Sequence, residues 1–141
     1  MTQVCVDASF ALKLILSEPE AVKVEELWRG WKTQGVAIVA PWLFPFEVLS
    51  VLRRKVSGGA ISAEAGDRGR TIIWRAGVQI RHHPRLWDLA WDLAGQYALP
   101  TVYDTSYLAL AELLDCECWT ADRRLSVAVG HRAERLRLVA A

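Results

Sequence analysis

The sequence predicts an α/β fold: a three-layer α/β/α sandwich around a central parallel sheet of about four to five strands. Short runs rich in β-branched residues alternate with longer runs whose apolar residues recur at helical spacing. Strands that are separated by helices pair in parallel and carry helices on both faces of the sheet. The 141 residues, 52% hydrophobic and 23% charged, suit one folded domain over residues 1–141 and exclude a disordered chain.

The first elements alternate regularly along the chain. A β-branched run predicts a strand at residues 3–6, and helical spacing predicts helices at 10–16 and 20–32. The second helix ends near Gly35, and a buried strand follows at residues 36–40.

A third helix is predicted from Pro41, because proline is tolerated in the first helical turn, through Lys55 to the break at residues 57–59. Pro45 either kinks this helix or marks its true start. The run 42–52 is apolar all round apart from one acid, so we expect the helix to be largely buried.

The second half of the chain repeats the alternation. Asp104 is predicted to cap a helix that follows an extended segment at 101–103, and Asp122 to begin the last helix. The predicted helices are 62–74, 84–97, 105–114 and 122–129, and the predicted strands are 78–80, 117–120 and 136–139.

Charge and cysteine content restrict the compartment more than the ligand. Lys and Arg total 17 against 16 Asp and Glu, so net charge alone favours neither nucleic acid nor a membrane. The N-terminus has no basic region followed by an apolar core, no apolar run reaches about 20 residues, and the three cysteines are an odd number. We therefore expect a cytoplasmic protein without membrane contact.

Three aspartates stand at strand-to-helix junctions: Asp7, Asp104 and Asp122. In parallel sheets ligands bind beyond the carboxyl ends of the strands, so these acids are candidate site residues. Each could equally be only a helix N-cap, which is worth about 1 kcal/mol.

Glu47 is the only charged residue between Pro41 and Arg53. A buried, unpaired carboxylate costs several kcal/mol, so it must meet a base, take a proton or bind a cation. An ion pair with Arg53 or Arg54 is the alternative, but neither lies three or four residues from Glu47 on the helix.

Four short motifs carry these acids in order along nearly the whole chain, and residues 58–83 match none of them. The motifs are Val4-Cys5-Val6-Asp7-Ala8-Ser9, Pro41-Trp42-Leu43-Phe44-Pro45-Phe46-Glu47-Val48-Leu49, Tyr103-Asp104-Thr105-Ser106-Tyr107-Leu108-Ala109-Leu110-Ala111-Glu112 and Thr120-Ala121-Asp122-Arg123-Arg124-Leu125. Together they resemble the PIN-domain family, and within it the VapC-like toxins of prokaryotic toxin–antitoxin pairs.

The resemblance implies an endoribonuclease that cleaves RNA with Mg²⁺ or Mn²⁺. It also implies a VapB-like antitoxin protein as inhibitor, and a homodimer. Carried over by position, the catalytic and metal-binding acids are Asp7, Glu47, Asp104 and Asp122, with Thr120 and Ser9 as supporting hydroxyls. Some relatives carry a further acid where this chain has Arg124, which leaves the number of metal ions, one or two, open.

The chemistry of the acids agrees with this implication. Mg²⁺ prefers hard oxygen ligands, commonly one or two carboxylates with water and substrate phosphate. The ion lowers the pKa of a bound water and neutralises charge on the phosphate, as phosphodiester hydrolysis requires.

Two basic stretches are candidates for contact with RNA. Residues 53–85 hold eight basic residues against two acids, which fits either an RNA-tracking face or a dock for an acidic partner segment. Residues 123–137 hold five Arg against one Glu, and Arg123 and Arg124 follow Asp122 directly. These two are the predicted substrate-binding residues.

Seven tryptophans are many for 141 residues. Trp28 and Trp31 share one face of an otherwise charged helix, and we expect them to contact a partner. Core packing is the expectation for Trp42, Trp87 and Trp119.

Three other functions agree less well with the sequence than the nuclease does. A non-catalytic PIN-like RNA-binding or scaffold module would keep the fold, but the four acids are intact. A nucleotide- or flavin-binding domain would need a Gly-rich loop after the first strand, where Asp7-Ala8-Ser9 stands. A phosphotransfer receiver would need a Lys near the last strand, and none occurs after Lys55.

Overall fold

Five strands form one all-parallel sheet in the order β3-β2-β1-β4-β5 in the computed structural model, which describes residues 1–140. In register, Cys5 of β1 faces Val39 of β2 on one side and Cys118 of β4 on the other. The predicted α/β fold with a parallel sheet of about five strands is confirmed. The strands are β1 (Gln3–Val6), β2 (Ala37–Ala40), β3 (Gln79–Ile80), β4 (Cys118–Thr120) and β5 (Leu136–Leu138).

Helices connect all of these strands and form the two outer layers. The chain crosses to β2 and β3 in one direction and to β4 and β5 in the other, so right-handed connections place α1–α4 and α5–α7 on opposite faces. The three-layer arrangement is therefore as predicted. The helices are α1 (Ala8–Ala11), α2 (Ala21–Thr33), α3 (Leu43–Ser57), α4 (Ala63–Arg75), α5 (Leu86–Gln96), α6 (Tyr103–Leu113) and α7 (Arg123–Val129), with 3₁₀ turns at Leu12–Leu14 and Gly130–Arg132.

Several helix starts differ from their predicted positions. The first helix begins at Ala8 and tightens into a 3₁₀ turn after Ala11. Helix α3 begins at Leu43 rather than at Pro41, and Pro45 fits its first turn because the amide that proline lacks has no partner there anyway. Residues 101–103 form no strand.

Helix α6 begins one residue before Asp104, with Val102 at the N-cap. The prediction that Asp104 caps this helix is therefore wrong. The Thr105 hydroxyl donates to the carbonyl oxygens of Ala90, at 2.8 Å, and Val102, at 3.3 Å, which fixes the first turn of α6 on α5.

The core contains an aromatic cluster that the sequence analysis assigned to a partner surface. Trp28 and Trp31 are only 6% and 5% exposed, and their rings lie 6.3 and 5.7 Å from that of Phe10, measured between centroids. The indole nitrogen of Trp28 donates to the Ala76 carbonyl at 3.1 Å. The two tryptophans with Val24 form the buried stripe of α2, so the expected partner contact through them is wrong.

Two other tryptophans, which were expected to pack in the core, are exposed. Trp42 is 66% and Trp87 78% exposed, whereas Trp119 is partly buried against the core. Helix α5 buries a narrow stripe of small and branched residues (Leu86, Ala90, Leu93 and Ala94) and turns its tryptophans outward. Helix α3 is likewise buried on one face only, through Phe44, Val48 and Leu52, and the expectation that it is largely buried is wrong.

The order of the sheet reverses between β1 and β4. From β1 the chain adds β2 and β3 on one side, and it then returns to add β4 and β5 on the other. The loops after β1 and β4 consequently diverge and leave a crevice at their carboxyl ends, where α/β sheets bind ligands. No helix within residues 1–140 is long and apolar enough to cross a membrane.

Candidate active site

Asp7 lies at the carboxyl end of β1, where it is 5% exposed and caps α1. One carboxylate oxygen accepts from the Phe10 amide at 2.9 Å and from the Ser9 hydroxyl at 2.7 Å. Both bonds go to Oδ1, so the cap uses only one of the two carboxylate oxygens.

Ser9 and Thr120 tie the ends of β1 and β4 together. Their hydroxyl oxygens lie 3.2 Å apart, the Ala121 amide donates to Ser9 Oγ at 3.0 Å, and the Asp122 amide donates to Thr120 Oγ1 at 3.0 Å. Since Ser9 donates to Asp7, the two supporting hydroxyls hold the loop that carries Asp122 beside Asp7.

Asp122 caps α7 as predicted. Its Oδ1 accepts from the amides of Arg124 at 2.9 Å and Leu125 at 3.3 Å. Arg123 and Arg124 are the first two residues of this helix, and both are exposed. The cap therefore fixes the carboxylate at the crevice and places two guanidinium groups at its edge.

Asp104 is the one aspartate to which the capping alternative does not apply. It is the second residue of α6, half-buried, and accepts no hydrogen bond from residues 1–140. The start of a helix favours a negative charge, so α6 stabilises the ionised form without a direct bond. A half-buried carboxylate with no donor is suited to binding a cation.

Glu47 projects from the second turn of α3 and is half-buried rather than fully buried. The Tyr107 hydroxyl donates to Glu47 Oε1 at 2.6 Å, and within residues 1–140 no Arg or Lys pairs with Glu47. Within residues 1–140, Glu47 therefore forms no salt bridge with Arg53 or Arg54, which was the alternative that the sequence left open. Tyr107 was not among the predicted site residues, although its position three residues after Asp104 puts both on one face of α6.

All four acids line a single pocket of about 350 Å³. Lys13 and Lys55 lie on its wall; Lys13 is held by Glu18 at 2.7 Å and Glu20 at 3.3 Å. Lys13 was not predicted as a site residue, although it is a lone lysine on an otherwise apolar predicted helix. The predicted residues Thr120, Arg123 and Arg124 lie next to the pocket and do not line it. The lining is Asp7, Ala8, Ser9, Leu12, Lys13, Leu16, Glu18, Glu47, Val51, Lys55, Asp104, Ala121 and Asp122.

Burial, with a smaller effect of neighbouring charges, raises the pKa values of three of the acids. Burial raises the pKa of Asp7 to about 6, although hydrogen bonds from Thr120, Ser9 and Phe10 lower it, and the Asp104 charge adds to the rise. Burial also raises the pKa of Glu47 and of Asp104; the charge of Asp104 adds to the first and that of Asp122 to the second. Such a site gains stability from a cation that offsets the mutual repulsion.

The donor set of this pocket fits a hard divalent ion. Its candidate ligands are carboxylate and hydroxyl oxygens, which Mg²⁺ and Mn²⁺ prefer, and no His or Cys lines it. Within the described part of the chain no three His, Cys, Asp or Glu side chains are arranged to hold an ion among themselves. The acids therefore suit an open site, in which one or two carboxylates bind directly and water or substrate supplies the other ligands.

A larger groove of about 840 Å³ lies at the opposite, amino-terminal end of the strands. Two arginines on its wall are paired with acids: Arg135 binds Asp115 at 2.7 Å, and Arg137 binds Glu117 at 3.0 Å. Size alone does not identify the functional site, and the smaller pocket holds the chemically reactive groups.

Comparison with known proteins places the chain in a family. The PIN domain family matches residues 4–130. Ribonuclease VapC9 of Mycobacterium tuberculosis is 32% identical over 129 residues, which are 87% of this chain and 88% of the relative. Ribonuclease VapC12 of the same species is 31% identical over 133 residues, which are 93% of this chain and 95% of the relative.

Two crystal structures share the fold. A protein of Pyrobaculum aerophilum superposes with a TM-score of 0.67 at 23% identity, covering 90% of this chain and 86% of the other. VapC20 of Mycobacterium tuberculosis, described as a toxin that cleaves the sarcin-ricin loop, gives a TM-score of 0.65 at 17% identity, covering 89% and 94%. The family match and the two relatives together show that the chain belongs to the PIN-domain family and, within it, to the VapC ribonucleases.

Proposed function

We propose that this VapC ribonuclease hydrolyses RNA phosphodiester bonds with Mg²⁺ or Mn²⁺ bound in the pocket of Asp7, Glu47, Asp104 and Asp122, where one or two of the four carboxylates are direct ligands. The observation that carries the proposal is that these four carboxylates line one pocket at the switch point of the sheet, although they come from four separate segments of the chain. When bound, a divalent ion would activate a water molecule and neutralise charge on the scissile phosphate.

Three other residues hold the four carboxylates in position. Ser9 and Thr120 fix the Asp7 and Asp122 carboxylates against each other through the loops after β1 and β4. Tyr107 orients Glu47 from the opposite side of the pocket. Because these supports are in place before substrate arrives, the carboxylates do not need to reorganise during the reaction.

Basic residues at the pocket suit the RNA backbone. Lys55 lies on the wall and makes no ion pair within residues 1–140, and Arg123 and Arg124 are exposed at the rim beside Asp122. Phosphate contacts of this kind supply affinity that does not depend on base sequence. We infer that these three residues bind the phosphates on either side of the scissile bond.

The biological role we propose is that of the toxin in a toxin–antitoxin pair. The enzyme then acts in the cytoplasm as a homodimer, and a VapB-like antitoxin inhibits it by covering the pocket. A groove of about 640 Å³ between α3 and α4 supports a protein inhibitor, since apolar side chains form its floor and Arg53, Arg54 and Arg70 its rim. An apolar floor suits a protein segment better than RNA, so we infer that the basic stretch at residues 53–85 binds an acidic partner segment rather than RNA.

RNA cleavage by the purified protein tests the proposal. We expect cleavage of total RNA with Mg²⁺ or Mn²⁺, no cleavage in excess EDTA, and a loss of at least 100-fold in Asp104→Asn. Glu25→Gln, an exposed acid on α2, is the matched control and keeps full activity. Tight RNA binding without cleavage would instead support the non-catalytic scaffold, and cleavage that survives both EDTA and Asp104→Asn would contradict the proposed site.

A further inference from the structure

Lys13 is a nearly buried cation in the acidic pocket. It lines the pocket together with the four carboxylates, and its side chain is 12% exposed. Ser9 and Leu16 also line the pocket, four residues before Lys13 and three residues after it, which is helical spacing. The first helical turns after β1 therefore present Lys13 on the face that forms the pocket wall, one turn beyond the hydroxyl that bonds to Asp7.

Two glutamates hold the Lys13 ammonium group, and they differ in their relation to the pocket. Lys13 donates to Glu18 at 2.7 Å, and Glu20 lies at 3.3 Å. Of these two glutamates, only Glu18 lines the pocket in the described part of the chain, and its side chain is 42% exposed against 16% for Glu20. Glu18 lies in the loop before α2, whereas Glu20 is the N-cap residue of α2. Glu18 is therefore the partner that a ligand in the pocket meets first.

Lys13 remains a cation and is not tied to the proposed metal ligands. Burial lowers the pKa of Lys13, but the bonds to Glu18 and Glu20 raise it more, so the net shift is upward. No ion pair joins Lys13 to any of the four site carboxylates within residues 1–140. The two glutamates account for two of the three N–H donors of the ammonium group. Lys13 can therefore donate to an anionic ligand without giving up both glutamates.

The cluster around Lys13 adjoins the basic rim of the pocket. A bond to its own backbone, the bond to Lys13 and, more weakly, the charge of Arg123 lower the pKa of Glu20. Arg123 is thus close enough to act on Glu20, and it is one of the residues that we infer to bind RNA. Lys13 lies on the same side of the pocket and continues the positive charge of the rim inward.

The bond between Lys13 and Glu18 is of the kind that an RNA phosphate also makes. A carboxylate and a phosphate oxygen both accept from an ammonium group at about 2.7–2.9 Å. Glu18 adds a fifth carboxylate to a pocket whose lining cations, in the described residues, are Lys13 and Lys55. A phosphate that enters the pocket is attracted by Lys13 and repelled by Glu18, so the two anions compete for one ammonium group.

We propose that Lys13 binds a non-bridging oxygen of the RNA phosphate that enters the pocket, and that Glu18 occupies this position in the RNA-free enzyme. RNA displaces Glu18 from Lys13, while Glu20 continues to hold the ammonium group. Lys13 therefore adds to the affinity for RNA, and Glu18 lowers it. The inference rests on the proposed nuclease function, which brings an RNA phosphate into this pocket.

Binding of a labelled single-stranded RNA oligonucleotide, measured by fluorescence anisotropy in EDTA, tests this contact. All proteins in the series carry Asp104→Asn, so that the RNA is not cleaved during the measurement. Lys13→Met keeps the unbranched stem and removes the charge, and we expect it to bind RNA about 10-fold more weakly than the parent. Glu18→Gln removes the competing charge, and we expect it to bind about 3-fold more tightly. Weaker binding by Glu18→Gln overturns the competition.

The double variant Lys13→Met/Glu18→Gln separates a phosphate contact from simple neutralisation of Glu18. It has the net charge of the parent, so we expect it to remain about 5-fold weaker only if Lys13 itself binds RNA. A double variant that binds as tightly as the parent overturns the inference. Lys23→Met and Glu25→Gln make the same charge changes at exposed positions of α2, and as matched controls they keep the parent's affinity.

The salt dependence of RNA binding gives a second readout. Each phosphate contact to a single strand contributes about 0.7 to the slope of log K against log salt concentration. We expect Lys13→Met to lower the slope by about this amount and Lys23→Met to leave it unchanged. An unchanged slope in Lys13→Met overturns the contact. Glu18→Gln leaves Lys13 paired with Glu20, so its result decides even if Lys13→Met does not fold.

The nuclease and the Lys13 contact fail in different ways. If the wild type does not cleave RNA with Mn²⁺ but the binding series behaves as expected, the nuclease is wrong and the contact stands. If the wild type cleaves RNA and Lys13→Met binds RNA as tightly as the parent, the contact is wrong and the nuclease stands.

Discussion

Asp7 caps a helix through one carboxylate oxygen, so its charge can be tested separately from its cap. Its pKa of about 6 in the folded protein lies above the unfolded value of 3.8. Ionisation therefore costs folding free energy: the cost is absent below about pH 4, grows as the pH rises through 6, and is complete above it.

Asp7→Asn removes this cost and keeps the cap, because the amide oxygen still accepts from Phe10 and Ser9. In EDTA we expect the variant to match the wild type near pH 4 and to be more stable at pH 8, by on the order of 2 to 3 kcal/mol. Urea unfolding across this pH range measures the difference. A variant that is less stable than the wild type at pH 8 would show that the Asp7 charge is already compensated within the chain.

Tyr107 supports the other side of the pocket through a single hydroxyl. Burial and the Glu47 charge raise the pKa of Tyr107 well above its usual range, so the hydroxyl keeps its proton and donates to Glu47. We expect Tyr107→Phe to lower the free energy of unfolding by about 1.5 to 3 kcal/mol, and by about half as much when Glu47 is already Gln. Urea unfolding of the four proteins measures the coupling, and equal losses in both backgrounds would exclude a charge-assisted bond.

At the scale of whole elements, the strands and the capped helices were predictable because their signals are local. Residues 3–6 were predicted as β1 with the observed bounds, and Ser62 and Asp122 stand immediately before α4 and α7. The start of α6 was not predictable from Asp104, since tertiary bonds from Thr105 to α5 decide where that helix begins. The packing of neighbouring helices decides which tryptophans face the core. The tryptophans of α2 were predicted to be exposed and are buried, whereas Trp42 and Trp87 were predicted to be buried and are exposed.

Two glycines in helices give opposite predictions for the same substitution. A Cβ at Gly66 of α4 would lie 2.7 Å from Val56 Cγ2, whereas a Cβ at Gly30 of α2 meets nothing within 4 Å. Alanine gains about 0.5–1 kcal/mol of helix stability at either position, and the forced overlap costs about 1–3 kcal/mol. We therefore expect Gly30→Ala to raise the melting temperature and Gly66→Ala to lower it. If Gly66→Ala is also stabilised, the close contact between α3 and α4 is not rigid.

The four acids illustrate what the sequence contains at the scale of the whole molecule. The grouping of Asp7 and Asp122 was predictable, because the carboxyl ends of parallel strands meet at one edge of the sheet. Glu47 and Asp104 lie in α3 and α6, and it was the resemblance to the PIN-domain family that grouped them with the other two. The sequence contained no comparable signal for the partner of Glu47 or for the exposure of Trp42, Trp87 and Trp91, since these depend on how α3, α5 and α6 are placed. The position of the site therefore follows from the topology of the sheet, whereas the contacts that hold its side chains follow from the packing of the helices.

A divalent ion that binds the pocket also has a measurable effect on the stability of the whole fold. An ion that binds only the folded state stabilises it by about 2.7 kcal/mol at 100 times its dissociation constant. The pocket brings four carboxylates together, and burial and the neighbouring Asp122 charge raise the pKa of Asp104. Asp104→Asn relieves one repulsion and removes one ligand. Asp67→Asn, at an exposed surface pair, changes neither.

The melting temperature as a function of Mn²⁺ concentration, measured for the wild type, Asp104→Asn and Asp67→Asn, tests the divalent-ion site most directly. We expect the wild type and Asp67→Asn to rise together with Mn²⁺. Asp104→Asn should melt at or above the wild type without metal and rise clearly less when metal is added. Three proteins that rise by the same amount at every Mn²⁺ concentration would contradict a metal site at these four carboxylates.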